Sequence, residues 1–349
     1  MDRISAIPWN ISPMITAEPT LAAFQPLLEK NRPFITSVSK KAIKYGETDR
    51  HYLDIYYPPS QAISGDPTPI LFFVYGGGFV TGARNRPPPM DLVYSCLGSF
   101  FARQGFLTII PDYHLAPEFQ YPKLTSETTP SPDLESLFIM GHSAGAVHVA
   151  TSIFHPNLIP LDSDLRRRIK GIVLVSGPYH YSSKAGDGVF EAHWGSEENA
   201  RENSAVSLLI RSIDWLPKER LPEILLVVAQ FEPEWIMNMG LDYWRLLEWH
   251  LGKPVRLDVV KDHNHVSLNC ALSSGEGEEW GMRAANWIRS VVHGNVHSAP
   301  ETETLAGVEK TDTQECPGCQ KREIRSFSIE IGTKSLRSQV TCSLASASS

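Results

Sequence analysis

Five apolar runs, each bounded by glycine, proline or polar residues, constrain this chain more than any other feature. They are "PILFFV" at 69–74, "FLTIIP" at 106–111, "LFIM" at 137–140, "IKGIVLV" at 169–175 and "EILLVV" at 223–228. A strand with one wet face alternates apolar and polar residues, whereas a strand covered on both faces is apolar throughout. Between and after these runs, "DLVYSCLGSFFARQG", "AGAVHVATSIF", "WIMNMGLDYWRLLEWHLG" and "EEWGMRAANWIRSVVHG" carry apolar residues at helical spacing, with Gly105 and Gly294 as natural stops. "KAIKYG" and "HYLDIYYP" precede the first run and "VRLDVVKD" follows the last, all three strand-like. Strands alternating with helices predict an α/β fold with a mostly parallel central sheet and helices on both faces. Ligands of such sheets sit at the carboxyl ends of the strands.

The chain has 349 residues, 42% of them hydrophobic, which suits one large domain with tails. We expect an N-terminal cap segment over 1–40, the main domain over 41–297 and a disordered, Ser/Thr/Glu/Lys-rich tail over 298–349. Within the tail "RSFSIEIG" alternates weakly and reads as a strand; within the domain an insertion at about 180–220, with Trp194 and Trp215, reads as a small cap. A net charge of −7 and a pI near 6.0 give no attraction to nucleic acid or to an anionic membrane surface. No run reaches the roughly 18 apolar residues of a membrane span. The first 20 residues, acidic at Asp2 and broken by Pro8 and Pro13, are not expected to act as a signal peptide. Five scattered cysteines do not make a disulfide framework, and a cytoplasmic protein is expected. Cys316-Pro-Gly-Cys319 is a lone C-x-x-C in the tail and is not read as a metal or redox site.

Gly141-His142-Ser143-Ala144-Gly145 places a serine between small residues, after an apolar run and before a helical one. A serine held on a sharp strand-to-helix turn is exposed as a nucleophile, and glycines let the two elements pass closely. Upstream, "VYGGGFVTG" puts three glycines directly after a buried strand. Without Cβ atoms, backbone N–H groups reach a substrate oxygen, so Gly77 and Gly78, together with the amide of Ala144 after the serine, are expected to form an oxyanion hole.

In the order "YGGGFVTG", "PDYHLAPEFQYP" and "GHSAG", the chain resembles the α/β-hydrolase fold and, within it, hormone-sensitive-lipase-like carboxylesterases over roughly residues 45–293. The resemblance implies a serine, acid, histidine order, with the acid and the base in loops after late strands. "EILLVVAQ" is followed by Phe231-Glu232-Pro233, which makes Glu232 the expected acid and Glu234 its runner-up. "VRLDVVKD" is followed by His263-Asn264-His265, which makes His265 the expected base and His263 its runner-up. A His-x-His pair alone has too few ligands for tetrahedral zinc, and neither metal nor organic cofactor is expected.

The implied chemistry is hydrolysis of carboxylic esters of small to medium apolar substrates through an acyl-enzyme. The resemblance extends to arylformamidase-like enzymes, to esterases of fungal secondary metabolism, and to non-catalytic ligand-binding proteins on the same fold. The expected partner is a small-molecule ester or amide, with no nucleic acid and no membrane span. Oligomeric state is not read from the sequence.

Three departures from the family pattern stand out. Tyr75 replaces the usual histidine, which leaves open how the glycine loop is braced, and Glu232 replaces the more frequent aspartate. "KLTSETTPSPDLESLF" is too short, polar and proline-broken for the amphipathic helix expected before the serine strand, and part of the tail is expected to substitute for it.

Overall fold

The computed structural model describes residues 1–10, 12–60, 68–121, 136–181 and 188–294, together with the backbone of 327–331 and 334–338. The segment 122–135, where the helix is missing from the sequence, and the Cys316/Cys319 pair lie outside the described residues. Met1–Ser298 form one compact unit and Ala299–Ser349 a second.

The first unit is built on an eight-stranded sheet in the order β1-β2-β4-β3-β5-β6-β7-β8. The strands are β1 (Lys40–Lys44), β2 (Tyr52–Tyr56), β3 (Ile70–Val74), β4 (Leu107–Pro111), β5 (Leu137–His142), β6 (Ile169–Val175), β7 (Glu223–Phe231) and β8 (Arg256–Asn264). β2 is antiparallel to both β1 and β4, and all other pairings are parallel. Every residue of β3 and β5 is buried, in keeping with the apolar runs at 70–74 and 137–140; the buried His142 ends β5. The registers Val74↔Gly141 and Gly141↔Leu174 bring the ends of β3, β5 and β6 side by side, so the loops after them share one edge.

Helices α1 (Asp2–Ser5), α2 (Pro13–Lys30) and α3 (Arg32–Thr36) precede the sheet, and α4 (Ser95–Arg103) lies between β3 and β4. α4 is shorter than the stretch 91–105 that is helical in pattern, because residues around Met90 and Val93 close four-residue turns instead. Gly105 follows its end in the left-handed region at φ 90°. α5 (Ala144–Phe154) is buried along its whole length, its mostly small and apolar residues carrying His148, Thr151 and Ser152 into the interior with them. α6 (Asp164–Arg168) leads into β6, and α7 (Val189–Trp194), α8 (Glu197–Asn203) and α9 (Ala205–Ser212) lie in the insertion, followed by a 3-10 turn at Lys218–Arg220. α10 (Glu234–Leu251), α11 (Ser267–Cys270) and α12 (Glu279–Val292) complete the unit.

Residues 1–40 pack into the same unit as the sheet. Ile4, Phe24, Leu28 and Ile35 form an apolar cluster with Leu92, Val93, Cys96 and Cys270, which joins the N-terminal helices to α4 and α11. In the second unit Phe327–Ile331 pairs antiparallel with Lys334–Ser338, and the first of these strands falls on the stretch that alternates in sequence.

Candidate active site

Ser143 stands between the last residue of β5 and the first of α5, with φ 55° and ψ −124°. A left-handed φ in a non-glycine residue costs on the order of 1–3 kcal/mol and persists only where surrounding structure enforces it. Here Ser143 N–H donates to Val175 O at 2.8 Å, while Ser143 O accepts from Ala146 N at 2.9 Å. Gly145 is required for the crossing of helix and strand, because a Cβ there would lie 2.1 Å from Val74 O. The turn leaves Ser143 half-exposed among otherwise buried neighbours.

Glu232 directly follows β7 and His265 directly follows β8. His265 Nδ1 lies 2.8 Å from Glu232 Oε2, and the two residues are 3% and 1% exposed. A carboxylate oxygen can only accept, so Nδ1 carries the proton and Nε2 is left with its lone pair. The second carboxylate oxygen, Glu232 Oε1, is buried without a hydrogen-bond partner among the described residues. His142, next to the serine, sits against this pair: its Nε2–H donates to His265 O at 2.8 Å, with the two rings 4.8 Å apart. Burial, reinforced by the nearby His265, lowers the His142 pKa to about 3, so it remains uncharged. Among the described residues no hydrogen bond joins Ser143 Oγ to His265, and such bonds often close only when substrate is bound.

The runner-up residues lie elsewhere. Glu234 is exposed at the start of α10, where its N–H donates to Asn10 Oδ1 at 3.2 Å. His263 is buried with Nδ1 3.0 Å from Ser267 Oγ, and burial lowers its pKa to about 4.

The glycine loop after β3 turns through Gly77 at φ 138° and Gly78 at φ 59°. Gly77 O accepts from Thr81 N at 3.0 Å, while the Gly77 and Gly78 N–H groups have no partner among the described residues. Ala144, as the first residue of α5, also has no intrahelical acceptor for its N–H. Gly77, Gly78 and Ser143 are half-buried, whereas Ala144 is buried.

How Tyr75 braces this loop is visible in the structure. Its hydroxyl donates to Asp112 Oδ1 at 2.8 Å and accepts from Arg50 Nη2 at 2.8 Å. Arg50 also donates to Tyr113 O at 2.7 Å and to Gly82 O at 2.9 Å. Arg84 donates through its backbone N–H to Asp112 Oδ1, through Nη1 to Asp112 Oδ2 and through Nε to Asp54 Oδ1. Tyr113 closes the circuit by donating to Tyr75 O at 2.8 Å, its ring stacked on that of Tyr75. Burial holds the Tyr75 phenol well above its ordinary pKa, so it stays a donor.

Sequence reasoning did not single out Arg50 or Arg84, touched Asp112 only as part of the "PDYHLAPEFQYP" motif, and did not find the supports of the His265 loop. Asn264 Oδ1 accepts from Val266 N and Ser267 N, and Asn264 Nδ2 donates to the buried Thr20 hydroxyl on α2 at 2.8 Å. An asparagine between two histidines and ahead of a serine is a turn-forming signal that could have marked it. Trp9, whose ring lies 6.0 Å from Phe231, places the N-terminal segment beside the Glu232 loop.

The fold has counterparts in solved structures. A fungal esterase from Rhizomucor miehei aligns over 83% of this chain and 93% of its own, at 19% identity and a TM-score of 0.59. Carboxyl esterase 2 from Tuber melanosporum aligns over 73% of this chain and 87% of its own, at 17% identity and a TM-score of 0.54. The chain has the α/β-hydrolase fold. In sequence this α/β-hydrolase-fold chain is 25% identical over 248 residues to kynurenine formamidase from Salmo salar, covering 77% of that protein. It is also 32% identical over 111 residues to the non-reducing polyketide synthase adrD from Penicillium roqueforti, only 4% of that much longer protein. No protein-family model matches the chain. Among the described residues no helix is long and apolar enough to cross a membrane.

Proposed function

We propose that this chain is a serine hydrolase that cleaves carboxylic esters of small to medium apolar substrates through an acyl-enzyme. The observation that carries the reading is the buried Glu232–His265 hydrogen bond at 2.8 Å, paired with a serine whose backbone stands at φ 55°. A serine hydroxyl is a weak nucleophile at neutral pH and needs a base beside it. His265 Nε2 takes the Ser143 proton as Oγ bonds to the substrate carbonyl carbon, and Glu232 holds the tautomer and stabilises the imidazolium. The carbonyl oxygen gains its negative charge against the amides of Gly77, Gly78 and Ala144. His265 then returns the proton to the leaving alkoxide, the C–O bond breaks, and the alcohol departs. Water repeats the sequence, releasing the acid and regenerating Ser143.

A second reading has its own support. The formamidase relative covers most of both proteins, and the same residues would cleave an aryl formamide with an amine as the leaving group. The partial polyketide synthase matches lend support to a place in secondary metabolism. Turnover of p-nitrophenyl acetate, p-nitrophenyl butyrate and N-formylkynurenine by one preparation separates the readings. We expect an initial burst of p-nitrophenol and an acetyl group on Ser143 by intact mass and peptide mapping. A kcat/KM for the formamide at least tenfold above that for the acetate ester would move the assignment to an amide hydrolase. Absence of turnover on all three substrates would reject both readings.

A further inference from the structure

Phe79 closes the glycine loop at φ 66°, a left-handed conformation in a bulky residue, and its side chain is 1% exposed. Surrounding structure must over-determine such a residue for it to persist. Its ring lies face to face with the imidazole of His193 on α7, the centroids 4.1 Å apart and the planes 3° from parallel. His148 of α5, five residues past Ser143, meets Phe79 edge-on at 5.3 Å and His193 edge-on at 5.2 Å. Trp194 adds an edge contact at 5.5 Å. Three segments distant in sequence, the glycine loop, the helix after the serine and the insertion, therefore meet in one aromatic cluster.

α7 is itself held in place. His193 O accepts from Tyr121 N at 2.9 Å, and Ala192 O accepts from Gln120 Nε2 at 3.2 Å. At its start the helix reaches the loop directly: a Cβ on Gly78 would lie 3.4 Å from Val189 Cγ1, an ordinary contact distance. His193 is 1% exposed and its Nδ1 meets no hydrogen-bond partner among the described residues. Burial, with His148 nearby, keeps it uncharged. A buried nitrogen without a partner is unfavourable. What the imidazole supplies in return is a flat face parallel to Phe79, which a branched aliphatic side chain lacks.

We propose that His193 is a positioning residue: by stacking on Phe79 it fixes the Gly77 and Gly78 amides and couples the insertion helix α7 to the oxyanion hole. This rests on the hydrolase reading and adds to it the element that sets the hole's geometry. Misplaced donors weaken binding of the developing oxyanion more than binding of the ground state, so the defect falls on kcat rather than KM.

The test compares full-length His193→Leu, which fills the space without a flat face, with His193→Phe, which restores one. Turnover of p-nitrophenyl acetate and hydrogen exchange of the peptide spanning residues 75–82 are followed in both variants and in wild type. The expected result for His193→Leu is a kcat lower by about tenfold or more, with KM within about twofold and faster exchange in the loop. His193→Phe is expected to restore kcat to within about threefold and loop protection to the wild-type level. Unchanged exchange and kcat in His193→Leu, or a His193→Phe as impaired as the leucine variant, would overturn the proposal. Loop exchange that rises with leucine and recovers with phenylalanine in a wild type inert toward esters would uphold the coupling and reject the hydrolase reading instead.

Discussion

Two regions flank Ser143 in the proposed chemistry, and the structure secures them differently. The glycine loop is held by Arg50, Arg84 and Asp112 around the Tyr75 hydroxyl on one hand and by Phe79 in its aromatic cluster on the other. The side chains of the buried Glu232–His265 pair are joined by a single hydrogen bond, with one carboxylate oxygen unpartnered among the described residues. Backbone amides have fixed chemistry, so only their placement can be adjusted, and many anchors share that task. An acid–base pair works by one proton and one orientation, and a single well-desolvated bond suffices for both. Redundant support predicts graded losses, whereas a single link predicts an abrupt one.

Replacing Glu232 by glutamine breaks the single link with little change of shape, since the amide no longer holds a charge opposite His265. We expect kcat to fall by roughly 10³–10⁴ with KM little altered. A loss of less than tenfold in steady-state kinetics would remove Glu232 from the proposed machinery. Tyr75→Phe sharpens the contrast from the other side, because Asp112 keeps its bonds from Arg84 and Arg50 keeps Tyr113 O and Gly82 O. Thermal denaturation should reveal a destabilisation of about 1–3 kcal/mol from the stranded polar groups, with kcat reduced by no more than about tenfold. An effect on kcat as large as that of Glu232→Gln would contradict redundant bracing.

Acid sensitivity is expected in both regions. Burial depresses the pKa of His142 and His148 to about 3 and of His263 to about 4, against an ordinary value of 6.5, and lowers His193 as well. These groups are neutral when folded and protonate when unfolded. Stability is therefore full above pH 6.5 and is lost as pH falls from 6.5 toward about 3, unfolding taking up as many as four protons. Urea denaturation across this range should give a midpoint that declines with acidity; a flat profile would mean that the buried histidines find compensating partners. The smallest effect is expected at Glu234→Gln, where an exposed carboxylate supports neither region, and kcat and thermal midpoint should both stay near wild type.

The parts legible in the sequence are those fixed by local pattern. Strands β3 and β5 announced themselves as unbroken apolar runs because both faces are covered, and α5 follows Ser143 as its small and apolar residues suggested. The glycine loop and the serine turn were visible because close approach admits few residue types. Choosing Glu232 over Glu234 and His265 over His263 rested on resemblance, and the structure adds the geometric difference of a buried paired group against an exposed or differently bonded one. The supports were not legible, because each joins residues far apart in the chain: Arg50 to Tyr75 and Asp112, Thr20 to Asn264, Phe79 to His148 and His193. The N-terminal helix α2 was hidden by Pro19 and Pro26 within it, which break the usual helical signal.

The central claim is that Ser143 is an activated nucleophile, and covalent labelling tests it most directly. Purified full-length protein is treated with a fluorophosphonate probe beside Ser143→Ala, with folding of both checked by circular dichroism. The account predicts stoichiometric labelling of wild type, mapped to the peptide carrying Ser143, and none of the alanine variant. A folded wild type that resists the probe, or a variant labelled equally well, would contradict it.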